Sequence, residues 1–321
     1  ACLVGSEMCI RDRYYNGYYS DREGNQKAAN HVVMLRNTSK GHSLYTTFQL
    51  QKNFVDGILK GLYLNGSYSF GQSRGVTDGT SSVATSAWKY RAALDGNAEE
   101  VGYTAGSFDG RLLLSASYTA NWSKYAATSF GLIYQRYRPF RYSYCYNGDA
   151  NGDSQFSNDL MYIPANFDEV KDHLLPGDFD SQEDAWKAMN AFIEQDPYLS
   201  KHRGEYAERN GAVAPFANQL DLSVSHDIKI YQKNGRSHTL RFSFNIANFL
   251  NLLNRNWGVV QTTVLGNQQY QFLTIPKGQG PSAANNYTLK YTMAKDLDET
   301  FKDNLNDVSR WQMQFGIKYI F

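Results

Sequence analysis

The stretch WQMQFGIKYIF, residues 311–321, alternates strictly between two kinds of side chain. One set is large and either aliphatic or aromatic: Trp311, Met313, Phe315, Ile317, Tyr319 and Phe321. The other set is polar or small apart from its last member: Gln312, Gln314, Gly316, Lys318 and Ile320. Period-two alternation puts the two sets on opposite faces of a β-strand. The sequence therefore predicts a strand that faces an apolar medium on one side and water on the other.

Two kinds of protein contain such a strand, the membrane β-barrel and the secreted β-sandwich. In a membrane barrel, aromatic residues form girdles at both ends of the apolar band. Trp311 stands at one end of this strand, and Tyr319 and Phe321 stand at the other. A transmembrane strand needs about 9–11 residues, which matches the length of the stretch. The pattern favours the barrel and leaves an edge strand of a secreted sandwich as the alternative.

The composition combines many aromatic residues with low hydropathy. The 321 residues include 24 Tyr and 18 Phe, and aromatic residues make up 15% of the chain. The mean hydropathy is −0.54. No apolar run reaches the ~18 residues that indicate a transmembrane helix. A barrel that is apolar outside and polar inside accounts for both features. The net charge of +1 argues against a nucleic-acid-binding surface.

Alternating runs continue along the chain, with turn signals between them. The clear runs are residues 44–50, 58–70, 112–122, 130–134, 220–230, 240–246 and 287–293, and the weaker ones are 31–36 and 259–275. Short turns are predicted at Asp56-Gly57, near Ser123 and at Lys233-Asn234-Gly235. Long connections are predicted over residues 71–107 and 143–215 and over the acidic stretch 296–307. This asymmetry predicts an all-β fold, a partial antiparallel transmembrane β-barrel with about ten strands of a larger barrel.

The longest connection, residues 143–215, is too long for a membrane strand and is predicted to lie outside the membrane. Ser181 followed by Asp184 forms a capping-box pattern, which marks the start of a helix. Apolar residues then recur at helical spacing at Trp186, Met189, Phe192 and Ile193. The fold is therefore predicted to carry one amphipathic helix in a long extracellular loop, with the apolar stripe as its packing face.

Oxygen-bearing side chains in this connection resemble the first half of a calcium loop. Asp149, Asn151 and Asp153 alternate, and Asp159 follows. The match then fails, because an EF-hand needs Gly where Ser154 stands and Glu where Leu160 stands. The four oxygen-bearing residues are a candidate Ca²⁺ site in the extracellular loop. The alternative is an Asn-Gly-Asp turn that side-chain to backbone hydrogen bonds stabilise.

Two groups of charged residues stand near strand ends. Arg136, Arg138 and Arg141 suit either an anionic ligand or the ordinary interface arginines of a strand end. The polar segment 202–209 is interpreted as a salt-bridged part of the barrel wall. The six histidines are scattered without ligand spacing, and no Gly-x-Ser-x-Gly or phosphate-binding glycine loop occurs. No enzymatic activity, catalytic residue or cofactor is therefore predicted.

The first thirteen residues, ACLVGSEMCIRDR, show neither strand alternation nor the layout of a signal peptide. They resemble a translated sequencing-adaptor artefact, so residues 1–13 are expected to be non-native. Of Cys2, Cys9 and Cys145, only Cys145 then remains, and no disulfide framework is expected. Residues 14–321 otherwise indicate an exported protein, so the missing signal peptide leads us to expect a carboxy-terminal fragment.

Three segments resemble the barrel domain of TonB-dependent outer-membrane transporters of Bacteroidota, specifically the Oar-like branch. They are NGDANGDSQFSNDLMYIP at 147–164, HRGEYAERNGAVAPFANQLDLSVSHDI at 202–228 and FNIANFLNLLNRNWG at 244–258. The third segment is also similar to the SusC-like glycan and peptide importers. The terminal strand resembles the closing strand of Gram-negative outer-membrane proteins. That resemblance implies an assembly signal, read by the barrel assembly machinery, at Trp311, Phe315, Tyr319 and Phe321.

The resemblance implies a barrel of about 22 strands with an amino-terminal plug. It implies a chain located in the cell outer membrane, in contact with outer-membrane lipid, that takes up a bulky nutrient. The resemblance also implies that the TonB complex acts through a missing amino-terminal part and that a surface lipoprotein could form a lid. In some relatives a carboxypeptidase-regulatory-like domain precedes the plug. Two rivals stay open: a self-contained ten-stranded outer-membrane protease and a surface barrel that transports nothing.

Overall fold

A computed structural model describes residues 18–20, 26–28, 37–79, 81–153, 155–231, 237–265, 269–281 and 288–321. The first ten strands are β1 Tyr18–Ser20, β2 Gln26–Ala28, β3 His42–Asn53, β4 Leu62–Gly75, β5 Gly102–Tyr103, β6 Arg111–Ser123, β7 Ala126–Tyr137, β8 Arg141–Asn147, β9 Tyr162–Ile163 and β10 Glu205–Tyr206. The others are β11 Ala212–Val213, β12 Ala217–Tyr231, β13 Ser237–Ala247, β14 Gln261–Thr263, β15 Gln269–Thr274, β16 Thr292–Met293, β17 Phe301–Asp303 and β18 Gln312–Ile320. The α-helices among the described residues are Ala84–Lys89, Gln182–Gln195 and Phe249–Leu253, and Phe167–Glu169 and Leu199–Lys201 are single 3-10 turns.

Seven long strands form one antiparallel sheet in the order β18-β13-β12-β7-β6-β4-β3, and the short β5 pairs with β4. The predicted all-β, antiparallel character is confirmed. Asp56-Gly57 lies in the turn between β3 and β4, where Gly57 has a φ of +70° that favours glycine. β6 and β7 form the tight hairpin predicted near Ser123. In the described part of the chain, β3 and β18 are the two edges of this sheet.

The connections between these strands alternate in length. The β3–β4 turn spans 54–61, the β6–β7 turn spans 124–125, and β12 pairs with β13 across the segment 232–236. Because neighbouring strands are antiparallel, the β3–β4 turn, the β6–β7 turn and the ends of β12 and β13 that flank 232–236 all lie at one end of the sheet. The long connections 76–110, 138–216 and 248–311 all leave from the opposite end. The predicted division into short turns and long loops is therefore present.

The three long connections pack together into one body, which we call the head (residues 76–110, 138–216 and 248–311). Leu160 donates its N–H to the carbonyl of Ala93, at 3.2 Å, which joins the first connection to the second. Tyr291 donates its N–H to the carbonyl of His173, at 2.9 Å, which joins the second to the third. Within the head, the sheet β11-β8-β15-β16 includes a parallel pair between β8 and β15.

A hydrophobic core fills the head, and its centre is aromatic. Its largest fully buried side chains are Tyr142, Tyr144, Tyr270, Phe192, Phe272, Met161, Ile163, Leu174, Met189, Ile193, Leu199 and Leu273. The ring centroids of Phe192 and Phe272 are 4.8 Å apart, so the 182–195 helix packs directly on β15. Such aromatic pairs add about 0.5–1.5 kcal/mol each beyond the apolar area that they bury.

The predicted helix is confirmed as Gln182–Gln195. Ser181 is its N-cap, and the hydroxyl of Ser181 accepts the N–H of Asp184 at 3.1 Å. Of the predicted apolar stripe, Met189, Phe192 and Ile193 are buried, together with Ala185. The stripe packs on the strands of the head, which supports its interpretation as a packing face.

Within the described residues, the large sheet has seven long strands and the short β5, fewer than the roughly ten strands predicted for the chain. The run 287–293 gives only the two-residue β16, and Tyr291 and Met293 are buried in the core of the head. The run 259–275 gives β14 and β15, which also belong to small sheets of the head. Alternation shows that one face of a strand is apolar. It does not show whether lipid or a protein core covers that face.

Two short helices, Ala84–Lys89 and Phe249–Leu253, were not predicted. None of the described helices is both long and apolar enough to span a membrane. Several predictions lie outside the described residues. They are the artefact segment 1–13, the weak run 31–36 and the turn Lys233-Asn234-Gly235.

Candidate functional site

One face of the large sheet is apolar on all seven long strands, and we call it the apolar face. Large apolar or aromatic side chains lie directly opposite one another on neighbouring strands of this face. The aligned pairs are Phe48–Tyr68, Tyr118–Phe130, Leu132–Leu222, Leu222–Ile246 and Phe244–Phe315. Leu64, Tyr118 and Phe315 on this face are exposed, with 40%, 40% and 66% of their surface accessible. Leu222 and Phe244 are half-buried. All five were expected to be exposed, so this expectation holds for three of them, and none of the five belongs to a hydrophobic core cluster of the described residues.

The opposite face, which we call the polar face, carries hydroxyl, amide and charged groups that bond across neighbouring strands. The Gln49 amide donates to Asn65 at 2.8 Å, and the Gln135 amide donates to Gln219 at 2.9 Å. Near the short-turn end, the guanidinium of Arg241 forms two bonds with the carboxylate of Asp227, at 2.6 and 2.8 Å. Ser117, Asp221 and Gln314, which were expected to face away from the apolar medium, lie on this face.

The residues of the proposed assembly signal lie on or beside the edge strand β18. Phe315 and Tyr319 project from the apolar face, Trp311 precedes the strand, and Phe321 follows it. All four are exposed, and Tyr319 and Phe321 stack with ring centroids 5.9 Å apart. Trp122 is exposed at the short-turn end of β6. Aromatic residues therefore border the apolar face at both ends, and the role of the four residues in assembly stays a prediction.

The candidate calcium ligands do come together in one loop of the head. The carboxylate of Asp149 accepts the N–H groups of Gly152 and Asp153, at 2.6 and 3.1 Å. The carboxylate of Asp159 accepts the N–H of Ala150 at 2.6 Å and the side-chain amide of Asn151 at 2.7 Å. These oxygens bond to the loop itself, as the alternative of a side-chain-stabilised turn requires.

Burial and the proximity of other carboxylates disfavour the charged forms of Asp153 and Asp159 in this loop. Burial raises the pKa of Asp159 to about 7, and the nearby charges of Asp153 and Asp149 raise it further, although bonded N–H groups oppose the shift. Burial also raises the pKa of Asp153. Within the described residues, no three His, Cys, Asp or Glu side chains are arranged to hold a metal ion. The geometry thus fits the turn better than the metal site, and Ca²⁺ stays a prediction.

We expect the stability of the head to fall as the pH rises from about 4 to about 7. The folded-state pKa of Asp159 is about 7, against 3.8 for the free group, so in this range the folded state binds more protons than the unfolded state. Denaturant unfolding between pH 4.5 and pH 8 measures the effect, and Asp159→Asn should flatten the curve. Millimolar CaCl₂ at pH 8 should leave the stability unchanged. A rise with CaCl₂ but not MgCl₂ would support the metal site instead.

The three arginines at the end of β7 differ in environment. Arg136 and Arg138 both lie over the ring of Phe216, with guanidinium carbons 4.5 and 4.1 Å from its centroid. Arg141 is buried, pairs with Asp109, and donates to the carbonyls of Ser107 and Asn210, both at 3.0 Å. Arg141 therefore joins two connections of the head, whereas Arg136 and Arg138 lie at the end of the sheet.

The polar segment 202–209 is not part of the large sheet but belongs to the head, which corrects its interpretation as barrel wall. Glu208 pairs with Arg74 at 2.6 Å, and Arg203 lies 3.8 Å from Glu194. The guanidinium of Arg209 donates to the carbonyls of Gly75 and Val76 instead of to an acid. The contacts of Glu208 and Arg209 hold the head against the end of β4, whereas the Arg203–Glu194 pair lies within the head.

A buried polar network in the head was not predicted. The carboxylate of Asp196 is completely buried and accepts the hydroxyl of Tyr144 at 2.6 Å and the hydroxyl of Thr300 at 2.7 Å. Its other oxygen accepts the N–H groups of Tyr198 and Leu199, at 2.9 and 2.8 Å. One side chain thus links β8, the end of the 182–195 helix and the third connection.

The described residues therefore provide two features that bear on function: a two-faced sheet with an exposed apolar side, and a packed head at one end of it. Comparisons with protein families, with characterised proteins and with solved structures find no significant match to this chain.

Proposed function

We propose that the large sheet is part of the wall of an outer-membrane β-barrel and that the chain belongs to a TonB-dependent transporter. The observation that carries this proposal is the exposed apolar face, which continues across seven strands. Soluble proteins rarely expose a contiguous apolar patch of more than a few hundred Å². Lipid covers such a face without a second protein layer, and the hydrogen-bonded polar face then lines a water-filled interior.

The distribution of the connections supports the same proposal. Outer-membrane barrels have short turns on the periplasmic side and longer loops on the extracellular side. In this chain all the long connections leave from one end of the sheet and fold into the head. The head would then lie outside the cell, where it would contact the incoming nutrient.

The sheet edges and the family resemblance support the remaining parts of the proposal. Within the described residues, β3 and β18 are sheet edges, which an intact barrel would pair with further strands. The resemblance of segments 147–164, 202–228 and 244–258 supplies the transporter family, Oar-like or SusC-like. The proposal gives the chain no catalytic role. Its partners would be outer-membrane lipid, the assembly machinery, the TonB complex and a lipoprotein lid.

Quenching of tryptophan fluorescence by brominated detergent tests whether the apolar face contacts lipid chains. Trp122 is 69% exposed at one end of this face, whereas Trp186 lies in the head beside Phe167. Brominated micelles should quench a large part of the emission, and Trp122→Phe should remove much of the quenchable part. The matched Trp186→Phe variant should leave the quenchable part unchanged. Equal effects of the two substitutions would refute the membrane wall.

A further inference from the structure

Three polar side chains on the apolar face, which we call the polar row (Trp122, Thr128 and His226), are joined by hydrogen bonds near the short-turn end of the sheet. Nε1 of Trp122 on β6 donates to the hydroxyl of Thr128 on β7 at 2.8 Å. The same hydroxyl lies 2.9 Å from Nδ1 of His226 on β12. The register places His226 directly between Thr128 and Phe242, on the same face as Leu222. A histidine on an apolar face needs an explanation, because a polar group that leaves water is costly unless it finds a hydrogen-bond partner.

The polar row fixes which ring nitrogen of His226 carries the proton. An indole N–H group can only donate, so the hydroxyl of Thr128 is the acceptor for Trp122. The hydroxyl then has its own proton to donate, and its partner among the described residues is Nδ1 of His226. With Nδ1 as the acceptor, a neutral imidazole carries its proton on Nε2.

The Nε2–H group of His226 is available to a ligand. Among the described residues Nε2 has no hydrogen-bond partner, and it does not belong to the buried polar atoms that lack one, so it reaches the surface of the apolar face. The imidazole ring itself is half-buried and is held by Thr128. The polar row therefore presents one oriented donor at this surface, and a donor whose orientation is already fixed loses less entropy when it binds an acceptor.

The charges at this end of the apolar face favour an anion. Lys124 is exposed in the β6–β7 turn, where its ammonium lies 4.9 Å from the ring centroid of Tyr125. The carbonyl of Tyr125 accepts the N–H of Lys229 at 2.7 Å, so this turn lies against β12, the strand of His226. Strands β6, β7, β13 and β18 contain no Asp or Glu, and Asp227 of β12 lies on the polar face. An anion at His226 would therefore be close to a cation and to no carboxylate of these strands on the same face.

We propose that this end of the apolar face binds the phosphate group of a glycerophospholipid, with the Nε2–H of His226 as the hydrogen-bond donor and Lys124 as the positive charge. Trp122 is exposed beside them, and tryptophan is enriched at the membrane–water interface, where its ring lies at the level of the headgroups. At that depth the phosphate oxygens are the charged acceptors of the lipid, while its acyl chains would cover the apolar side chains of the face. This site rests on the proposed function, because phospholipid meets the apolar face only if the sheet is a membrane wall.

Isothermal titration of the whole chain at pH 8, in micelles of an uncharged, phosphate-free detergent, tests the site with two probes. One probe is short-chain phosphatidylglycerol, and the other is the diacylglycerol with the same acyl chains, which lacks the phosphate. Phosphatidylglycerol should bind the wild type, and diacylglycerol should not. His226→Leu keeps the face apolar and should weaken the binding about tenfold, since it removes one hydrogen bond to a charged group. Lys124→Gln should weaken it by less, because salt and water screen an exposed charge.

Thr128→Val tests whether Thr128 positions the imidazole ring. Nitrogen-15 NMR of the histidines distinguishes the two neutral tautomers, and the signals of His226 are those that His226→Leu removes. The wild type should carry the proton of His226 on Nε2, whereas Thr128→Val should give a mixture of tautomers. The same variant should bind phosphatidylglycerol more weakly than the wild type. An unchanged tautomer in Thr128→Val would show that the hydroxyl does not orient the ring, and unchanged binding would overturn the site as proposed.

The matched control is His42→Leu, because His42 lies on the same face as Phe48 of β3 but at the end from which the long connections leave. It should leave the binding unchanged, and near-ultraviolet circular dichroism checks that each variant stays folded. The proposal is overturned if phosphatidylglycerol binds no better than diacylglycerol, or if a folded His226→Leu variant binds as the wild type does. The quenching experiment separates this failure from that of the wall. Quenching through Trp122 without phosphate-dependent binding rejects this site alone, whereas the loss of both rejects the membrane wall as well.

Discussion

Phe315→Arg is expected to prevent stable association of the chain with lipid vesicles, whereas Gln314→Arg is expected to leave it intact. The two residues are neighbours near the middle of β18, but Phe315 projects from the apolar face and Gln314 from the polar face. An arginine on the lipid side near the bilayer midplane costs about 2–4 kcal/mol in a membrane barrel. The same arginine on the polar face meets water and costs little.

Flotation of the chain with lipid vesicles on a density gradient measures this difference. The wild type and Gln314→Arg should float with the vesicles, and Phe315→Arg should stay in the dense fractions. The pair is well matched because both variants add the same charge to the same strand, one residue apart. If both variants floated equally well, the apolar face would not contact lipid, and the sheet would need a protein partner to cover it.

The strands of the large sheet could be predicted from the sequence because their environment repeats along the chain. Each long strand has one apolar and one polar face, so the period of two appears in every run. The predicted stretch 311–321 became β18 at Gln312–Ile320. Likewise, the cap at Ser181 and the apolar spacing that follows located the start and the packing face of the helix Gln182–Gln195.

The head could not be predicted in the same way, because distant parts of the chain build it. Tyr142, Tyr144 and Tyr146 alternate with Ser143 and Cys145, but β8 is buried on both faces, so its alternation carries no information about a water-facing side. The parallel pairing of β8 with β15 joins two strands that are separated by six other strands along the chain. A single sequence contains no local signal for such a pairing.

The candidate sites could likewise be predicted only where their residues lie close together in the sequence. The calcium pattern correctly grouped Asp149, Asn151, Asp153 and Asp159, since all four lie within one short loop. Whether their oxygens bind a cation or the backbone depends on the three-dimensional path of that loop. The buried carboxylate of Asp196 was missed because its hydroxyl partners, Tyr144 and Thr300, lie 52 and 104 residues away in the sequence.

Asp196→Ala is expected to destabilise the head by about 3–5 kcal/mol, because it removes the shared acceptor of a buried hydrogen-bond network. Two hydroxyl groups and two backbone N–H groups would lose their acceptor in a site that water does not reach. Each buried polar group left without a partner costs about 1–3 kcal/mol. Asp196→Asn keeps one acceptor oxygen and should therefore be less destabilising.

The near-ultraviolet circular dichroism of the chain reports this loss, because Tyr142, Tyr144, Tyr198 and Tyr270 pack around the network. In a denaturant titration, Asp196→Ala should lose the tyrosine signal at a lower concentration than the wild type. Asp168→Ala, which removes an exposed carboxylate elsewhere in the head, should leave the midpoint within the error of the measurement. An unchanged midpoint for Asp196→Ala would show that other contacts hold β8, the 182–195 helix and the third connection together. The large sheet shares none of these bonds, so the association of Asp196→Ala with lipid vesicles should survive the loss of the head.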